Sequence, residues 1–154
     1  MEDRIKTTAA VSRDHRSYRH HHLYTVRFAD LDLYRHVNNK AFITWVEDAR
    51  VRYLHEAAGF TRGFEGPHGM MVAHMAMDYL QQVHPFEEIT VSSRCAHIGT
   101  KSITLHHLLT RERTPVATGV TVFVAVDMET GRSRENDSAL AQRIRTFEDA
   151  PSGD

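Results

Sequence analysis

The feature that most constrains the fold is a long apolar stripe in the first half of the chain. Its members recur at spacings of three and four residues, the period of one helix face: Phe42, Trp45, Val46, Ala49, Tyr53, Leu54 and Ala57. Asn38 or Asn39 is the predicted N-cap, because an asparagine side chain accepts a hydrogen bond from a free helix N–H. Gly59 is predicted to end the helix as its C′ residue. Such a helix buries its apolar face against another layer of structure.

Most of the remaining chain has the period of β-strands. One strand is predicted before the helix, over 22–28, and four after it, over 70–80, 89–98, 102–110 and 116–126. A final helix is predicted from Asp137 or Ser138 to Phe147. This order predicts an α+β fold in which a five-stranded, largely antiparallel sheet curls around one long central helix. Because an open sheet leaves an edge strand that commonly pairs with a second copy, we expect a homodimer or a homotetramer.

Length and composition indicate one globular domain. The 154 residues carry a net charge of −1, which gives no indication of nucleic-acid or membrane-surface binding. The lone Cys95 excludes an internal disulfide and fits a reducing cytoplasm, and no apolar run approaches the ~20 residues of a membrane span. We predict a flexible tail over 1–19, a single domain over 20–148 and a flexible end over 149–154. Glycines concentrate in 59–69, which predicts a flexible loop beside a ligand.

Polar side chains lie at the junction between the first strand and the helix. Asp30 and Asp32 come first, followed by His36, Asn38 and Asn39. The free N–H groups of a helix N-terminus stabilise an oxyanion, and a nearby carboxylate supplies a base or a nucleophile. The alternative for Asp32 is an Asx-turn residue that shapes the loop. Asp30 is predicted to be a loop-stabilising acceptor, and Asn38 to hold the loop by capping.

The motifs at this junction resemble a known family. Asp30-Leu-Asp32, His36-Val-Asn38-Asn39 and Glu47-Asp-Ala-Arg50 are similar to the pattern of hot-dog-fold acyl-CoA thioesterases of the 4-hydroxybenzoyl-CoA thioesterase type. The likeness covers roughly residues 22–134, including Asp78-Tyr-Leu, Ile-Gly99-Thr-Lys101-Ser102 and Asp127 to Arg132. Two positions depart from the pattern: the family's glycine is Arg35, and its helix tyrosine is Phe42. These departures bear on the substrate more than on the mechanism.

The resemblance implies a hydrolase and assigns roles to residues. Asp32 aligns with the catalytic carboxylate, and the Asn39 N–H with the group that polarises the thioester carbonyl. His36 orients Asp32, donates to the substrate, or packs at the helix entry. Asn38, Lys101 and Ser102 are the predicted substrate-binding residues, the last two at the phosphates of coenzyme A, although a turn lysine in water is an equal alternative. The substrate is an acyl-CoA or acyl-carrier-protein thioester in a groove between subunits, and no cofactor is consumed.

Other assignments remain open at this level. Glu47 is a rival catalytic acid, as in another branch of these enzymes, or simply pairs with Arg50. The methionines between residues 70 and 77 line an acyl tunnel or belong to the core. A dehydratase or hydratase using His36 with Asp32, and a non-catalytic acyl-thioester-binding protein, are the rival functions. No histidine cluster has ligand spacing, so no metal is predicted, and hydrolysis through a serine or Cys95 is not expected.

Overall fold

The computed structural model describes residues 6–59 and 68–150. They form one five-stranded sheet and two α-helices, with these bounds: β1 His20–Thr25, α1 Asn39–Ala58, β2 His68–Tyr79, β3 Glu88–Ile98, β4 Ser102–Arg111, β5 Thr114–Asp127 and α2 Ser138–Asp149. The strand order is β1-β3-β4-β5-β2, and all neighbouring strands are antiparallel. The predicted α+β architecture is therefore confirmed. The first strand ends earlier than predicted, because residues 28–30 form a 3₁₀ turn instead.

Helix α1 packs its apolar stripe on one face of the sheet, in two separate clusters. Its N-terminal half, with Phe42 and Trp45, lies against Val83 and strands β3 to β5. Its C-terminal half, with Tyr53 and Leu54, packs against the other end of the sheet and against α2, including Ile144, which is fully buried. The predicted boundaries hold at both ends, since Asn38 caps the helix and Gly59 follows it with a φ of 73°.

A row of polar side chains separates these two clusters. His107 lies on β4 between Leu105 of one cluster and Leu109 of the other. Its Nδ1 is 2.9 Å from the Ser93 hydroxyl and its Nε2 is 3.2 Å from the Thr121 hydroxyl. Full burial, with the nearby positive charge of Arg50, lowers the pKa of His107 to about 3. The imidazole is therefore neutral, with both ring nitrogens in hydrogen bonds.

Residues 6–19 lie against the face of the sheet opposite α1. Val11 is 6% exposed and packs on Val120 and Val122 of β5. The Thr8 hydroxyl donates to Asp78 of β2 at 2.6 Å, and the buried Tyr18 donates its hydroxyl to the Ser12 carbonyl at 2.7 Å. This packing differs from the flexible tail predicted over 1–19, because valines of β5 face outward here and residues 6–19 cover them.

The two edges of the sheet are β1 and β2. On β2, Met71 is 59% exposed, whereas Met70, Met75 and Met77 pack against the core clusters. The contacts of these three methionines favour core packing over an acyl tunnel. The predicted glycine-rich loop falls mainly on residues 60–67, outside the described part of the chain. Neither α1 nor α2 is long and apolar enough to span a bilayer, and these are the only α-helices among the described residues.

Candidate active site

The loop before α1 is closed by its own backbone. Leu31 and Val37 form an isolated antiparallel bridge, and the Asp32 N–H donates to the His36 carbonyl at 2.8 Å. The Asp32 Oδ1 accepts from the N–H groups of Tyr34 at 2.8 Å and His36 at 3.1 Å. Within the described residues, no donor is assigned to the other carboxylate oxygen, Oδ2. Asp32 therefore forms the Asx-type turn and keeps one oxygen available, so the two interpretations of this residue are compatible.

Asp30 has a supporting position instead. It is 6% exposed, and its carboxylate accepts 2.8 Å hydrogen bonds from the backbone N–H and the guanidinium of Arg27. Burial raises the pKa of Asp30, but the hydrogen bonds from Arg27 outweigh that effect and hold the pKa below its usual value. The Asp30 carbonyl accepts from the Asn38 N–H at 2.7 Å. Asp30 thus fixes the base of the loop, in line with the predicted role.

The N-terminus of α1 presents an available backbone donor. The Asn38 side chain caps the helix by accepting from the Lys40 N–H at 2.9 Å, and the Asn38 carbonyl accepts from the Ala41 N–H at 2.8 Å. No acceptor for the Asn39 N–H is assigned among the described residues. Because the free N–H groups of a helix N-terminus carry partial positive charge, this donor suits a developing oxyanion. The capping bond gives Asn38 a structural task, and its predicted contact with substrate stays a prediction.

A cleft of about 330 Å³ brings the three predicted catalytic residues together. Asp32, His36 and Asn39 lie on one wall, and the floor includes Val37 and Phe42. The opposite wall consists of Tyr79, the last residue of β2, and of Leu80, Gln81, Gln82 and Val83 in the connection to β3. The arrangement places a carboxylate, an imidazole and a free helix N–H around one space. A carbonyl bound at this wall is within the same cleft as an acid or base and an electrophilic donor.

Sequence reasoning missed the residues of that opposite wall. The connection leaves the edge strand β2 and crosses the end of the sheet towards β3, held where the N–H groups of Leu80 and Gln81 donate to the Val116 carbonyl. Val83, which is 1% exposed, anchors it under the N-terminus of α1. Nothing in the local pattern reveals this crossing. The one signal available is Asp78-Tyr-Leu, which belongs to the family resemblance.

The two departures from the family pattern have structural explanations. Arg35 has a φ of 62°, so it occupies the left-handed conformation for which glycine carries no penalty. Phe42 is 3% exposed and makes an edge contact with the Tyr79 ring at 5.2 Å between centroids. Tyr79 lines the same cleft and is 42% exposed, so a tyrosine hydroxyl is present near the position where the helix lacks one.

Lys101 and Ser102 lie at the opposite end of the sheet from Asp32. Asp32 follows β1, whose last residue Thr25 pairs with Glu88 at the start of β3. Lys101 follows the end of β3, and the eleven residues of that strand span roughly 33 Å at about 3.3 Å per residue. The exposed Lys101 amine is 3.4 Å from the Ser133 hydroxyl. One chain therefore does not bring these predicted substrate-binding residues to the cleft.

The rival nucleophile and acid are poorly placed. The Glu47 side chain is 61% exposed and lies 3.4 Å from the Arg50 guanidinium, as its structural interpretation predicts. Burial, together with the Glu148 carboxylate, raises the pKa of Cys95 to about 12, so its thiol is protonated at neutral pH. Within residues 6–59 and 68–150, no group of three or more histidine, cysteine or acidic side chains is arranged to hold a metal ion.

Comparisons with known proteins show similarity over most of the chain. Residues 26–144 match the family model described as the Thioesterase-like superfamily. Uncharacterized protein YsmA of Bacillus subtilis is 32% identical over 110 residues, covering 71% of this chain and 74% of that protein. Long-chain acyl-CoA thioesterase FadM of Escherichia coli is 25% identical over 121 residues, covering 77% of this chain and 92% of that protein.

A solved structure gives the same result. A thioesterase of Thermus thermophilus, crystallised with coenzyme A and Zn, superposes with a TM-score of 0.73 and 34% sequence identity. The superposition covers 86% of this chain and 96% of the Thermus chain. The similarity therefore extends over nearly the whole of that thioesterase.

Proposed function

The chain belongs to the Thioesterase-like superfamily, and we propose that it hydrolyses an acyl-CoA thioester to a free carboxylic acid and coenzyme A. The observation that carries this proposal is the shared cleft, which both Asp32 and Asn39 line. The relatives support the same chemistry, since FadM is named a long-chain acyl-CoA thioesterase and the Thermus protein was crystallised with coenzyme A. The narrower 4-hydroxybenzoyl-CoA type stays a prediction.

In the proposed reaction, the Asn39 N–H donates to the thioester carbonyl oxygen and stabilises the negative charge that develops on it. The Asp32 carboxylate takes a proton from an attacking water, or attacks the carbonyl carbon itself and is released by water in a second step. In both routes the C–S bond breaks, the thiolate leaves and takes up a proton, and water supplies the oxygen of the acid. His36 lies at the same cleft and can donate to the leaving sulfur.

Geometry also supports a site shared between two subunits. Lys101 is at the far end of the sheet from Asp32 within one chain. If two copies pair through their exposed β2 edges in antiparallel fashion, the partner sheet is reversed, and its 99–101 turn lies at the Asp32 end of the first copy. A homodimer of this kind reconciles the predicted phosphate contacts of Lys101 and Ser102 with the position of the cleft.

The activity is tested by incubating the protein with a panel of acyl-CoAs and with acylated carrier protein, while thiol release is followed. Release that exceeds the protein-free rate supports the proposal. The pairing of His36 with Asp32 in one cleft makes a dehydratase the second candidate, so a 3-hydroxyacyl-CoA is tested for enoyl product in parallel. Enoyl formation without thiol release would contradict hydrolysis, and acyl-CoA binding without any product would indicate a binding protein.

The shared site is tested by subunit complementation. Asp32→Asn and Lys101→Glu are each expected to be impaired as homo-oligomers. When the two variants are co-expressed and purified as a mixed oligomer, one site in each mixed dimer keeps both native residues, so activity returns to roughly half of the wild-type level per mixed dimer. Failure of the mixture to exceed its better parent would contradict the shared site, because Lys101 of one subunit would then not serve the Asp32 cleft of the other.

A further inference from the structure

Asp32 borders a second depression as well as the cleft. This groove has a volume of about 950 Å³ and lies on the other side of the Asp32 loop. Its apolar lining comes from two segments of the chain: Phe28, Leu31, Leu33, Tyr34, Pro85 and Phe86. Arg35 and Asn38 are its other polar members besides Asp32. We refer to it as the apolar groove.

The side chains of the apolar groove are unusually exposed for their size. Leu33 is 100% exposed, Tyr34 81%, Phe28 79% and Phe86 73%. Four large apolar side chains next to one another form a patch of the kind that monomeric proteins seldom leave uncovered unless it binds something. The patch lies beside β1 and β3, at the edge of the sheet remote from β2. A second copy paired through β2 therefore adds to the opposite edge of the sheet from this patch.

The backbone of Phe86 adds an independent observation. Its φ is 67°, a left-handed conformation that costs free energy for a bulky residue. Core packing does not explain this conformation, because the Phe86 side chain is mostly exposed, although its N–H donates to the Val26 carbonyl at 3.0 Å. A strained, exposed aromatic side chain beside a candidate active site indicates a contact with ligand.

The cleft is more polar than the apolar groove, just as the pantetheine arm of an acyl-CoA thioester is more polar than its acyl arm. The cleft presents polar side chains, including Gln81 and Gln82, which match the amide groups of a pantetheine arm. The apolar groove presents aromatic and aliphatic carbon. Since Asp32 lines both, a thioester held at this carboxylate can extend one arm into each.

Building on the proposed function, we propose that the apolar groove binds the acyl arm and that the preferred substrates carry long unbranched acyl chains. The pantetheine arm then occupies the cleft. Full burial of one methylene raises affinity about fourfold. Because this groove is open on one side, we expect kcat/KM to rise about twofold per methylene until the groove is filled.

The first experiment measures thiol release from acetyl- to palmitoyl-CoA with the wild type and three variants. Leu33→Ser and Phe86→Asn remove groove carbon, and asparagine tolerates the left-handed conformation at position 86. Both are expected to flatten the chain-length dependence, so that the ratio of palmitoyl-CoA to acetyl-CoA turnover falls about tenfold or more. Val51→Ser, at a 58% exposed apolar position on α1 outside the groove, is the matched control and should keep the wild-type slope.

The second experiment does not depend on hydrolysis. A non-cleavable thioether analogue of palmitoyl-CoA with a diazirine at the acyl terminus is photolysed on the wild-type protein, and the labelled residues are mapped by mass spectrometry. Labels on residues 28–35 and 85–86 support the proposal. Labels on residues 79–83 or 70–77 overturn it even if thiol release is observed.

The outcomes separate the two proposals. Absence of thiol release from every acyl-CoA contradicts the proposed function, while groove labelling then still supports acyl binding. A flat chain-length profile in the wild type overturns the groove assignment and leaves hydrolysis intact. If Leu33→Ser and Phe86→Asn impair acetylated and palmitoylated carrier protein equally and spare every acyl-CoA, the groove docks the carrier protein, and the assignment to the acyl arm is wrong.

Discussion

The two ends of helix α1 are built for different purposes. At the C-terminal end, the Gly59 N–H donates to the His55 carbonyl at 3.0 Å and the Arg143 guanidinium donates to the Ala58 carbonyl at 3.2 Å. Glu148 of α2 accepts from the Tyr53 hydroxyl at 2.5 Å and from the Cys95 N–H at 2.6 Å. At the N-terminal end, Asn39 is exposed, and no acceptor is assigned to its N–H within the described residues.

The difference shows how one helix serves both stability and chemistry. The His55 and Ala58 carbonyls at the C-terminal end accept hydrogen bonds from the protein, and Ile144 of α2 is fully buried near them. The N-terminal end combines an available donor, a half-buried carboxylate and two left-handed residues, Arg35 and Phe86. At this end an available donor and two left-handed residues lie beside the space where a ligand is expected to bind. Packing at the C-terminal end supplies the stability that offsets the backbone strain of these two residues.

The largest expected effect is the loss of activity when Asp32, at the N-terminal end of α1, is changed. Asp32→Asn removes the charge but keeps a carbonyl oxygen for the N–H groups of Tyr34 and His36, so the fold should hold. We expect kcat/KM for an acyl-CoA to fall about 10²- to 10⁴-fold, the range of positioned acid–base catalysis, with an unchanged melting temperature. Glu47→Gln is the matched control on an exposed carboxylate and should stay within about twofold of wild type. Equal activity of Asp32→Asn and wild type would remove the assignment.

At the C-terminal end of α1 we expect the opposite result, a loss of stability without a loss of activity. Ile144→Ala deletes fully buried carbon between α2 and α1. It should lower the free energy of unfolding by about 3 kcal/mol, within the range for buried isoleucine. Because the site lies at the other end of the helix, kcat/KM per folded molecule should not change. Denaturant unfolding and thiol release on one preparation check this, and a large loss of kcat/KM at unchanged stability would mean that the two ends are coupled.

His107 lies between the two apolar clusters, and its burial predicts how stability depends on pH. Its folded pKa of about 3 is far below its ordinary value of 6.5, so the unfolded chain takes up a proton that the folded chain does not. Stability is full above pH 6.5 and should decline as the pH falls below it, by up to about 1.4 kcal/mol per pH unit from this residue. His107→Gln should show a shallower decline between about pH 6.5 and 5 in urea melts. His20, whose pKa burial lowers to about 4, accounts for part of the residual slope.

The smallest expected effect is on stability, through the backbone strain at Arg35 near the N-terminal end of α1. Arg35→Gly relieves the left-handed backbone, an effect partly offset by the greater freedom of glycine in the unfolded chain. We expect the free energy of unfolding to rise by about 0.5–1 kcal/mol. Arg35→Ala is the matched comparison, since alanine also removes the side chain but keeps the strain. Equal stability of the two variants would show that the backbone at Arg35 is not under strain.

The sequence by itself determined the elements with local causes. The helical period placed α1, and Asn38 and Gly59 bounded it, because capping is set by immediate neighbours. Alternation placed the five strands to within a few residues. The family resemblance, rather than any local period, assigned Asp32 and Asn39 to one site, and the loop between them is short and closed by its own backbone.

Only the tertiary structure decided what depends on distant pairing. The β2–β3 connection forms a wall of the cleft because it crosses the sheet beneath α1, and residues 6–19 are packed because outward-facing valines of β5 receive them. The apolar groove joins two segments, 28–38 and 85–86, that lie far apart in the sequence. The distance between Lys101 and Asp32 likewise follows from strand direction. Local periodicity carries no information about which distant segments meet, because that depends on the register and order of the whole sheet.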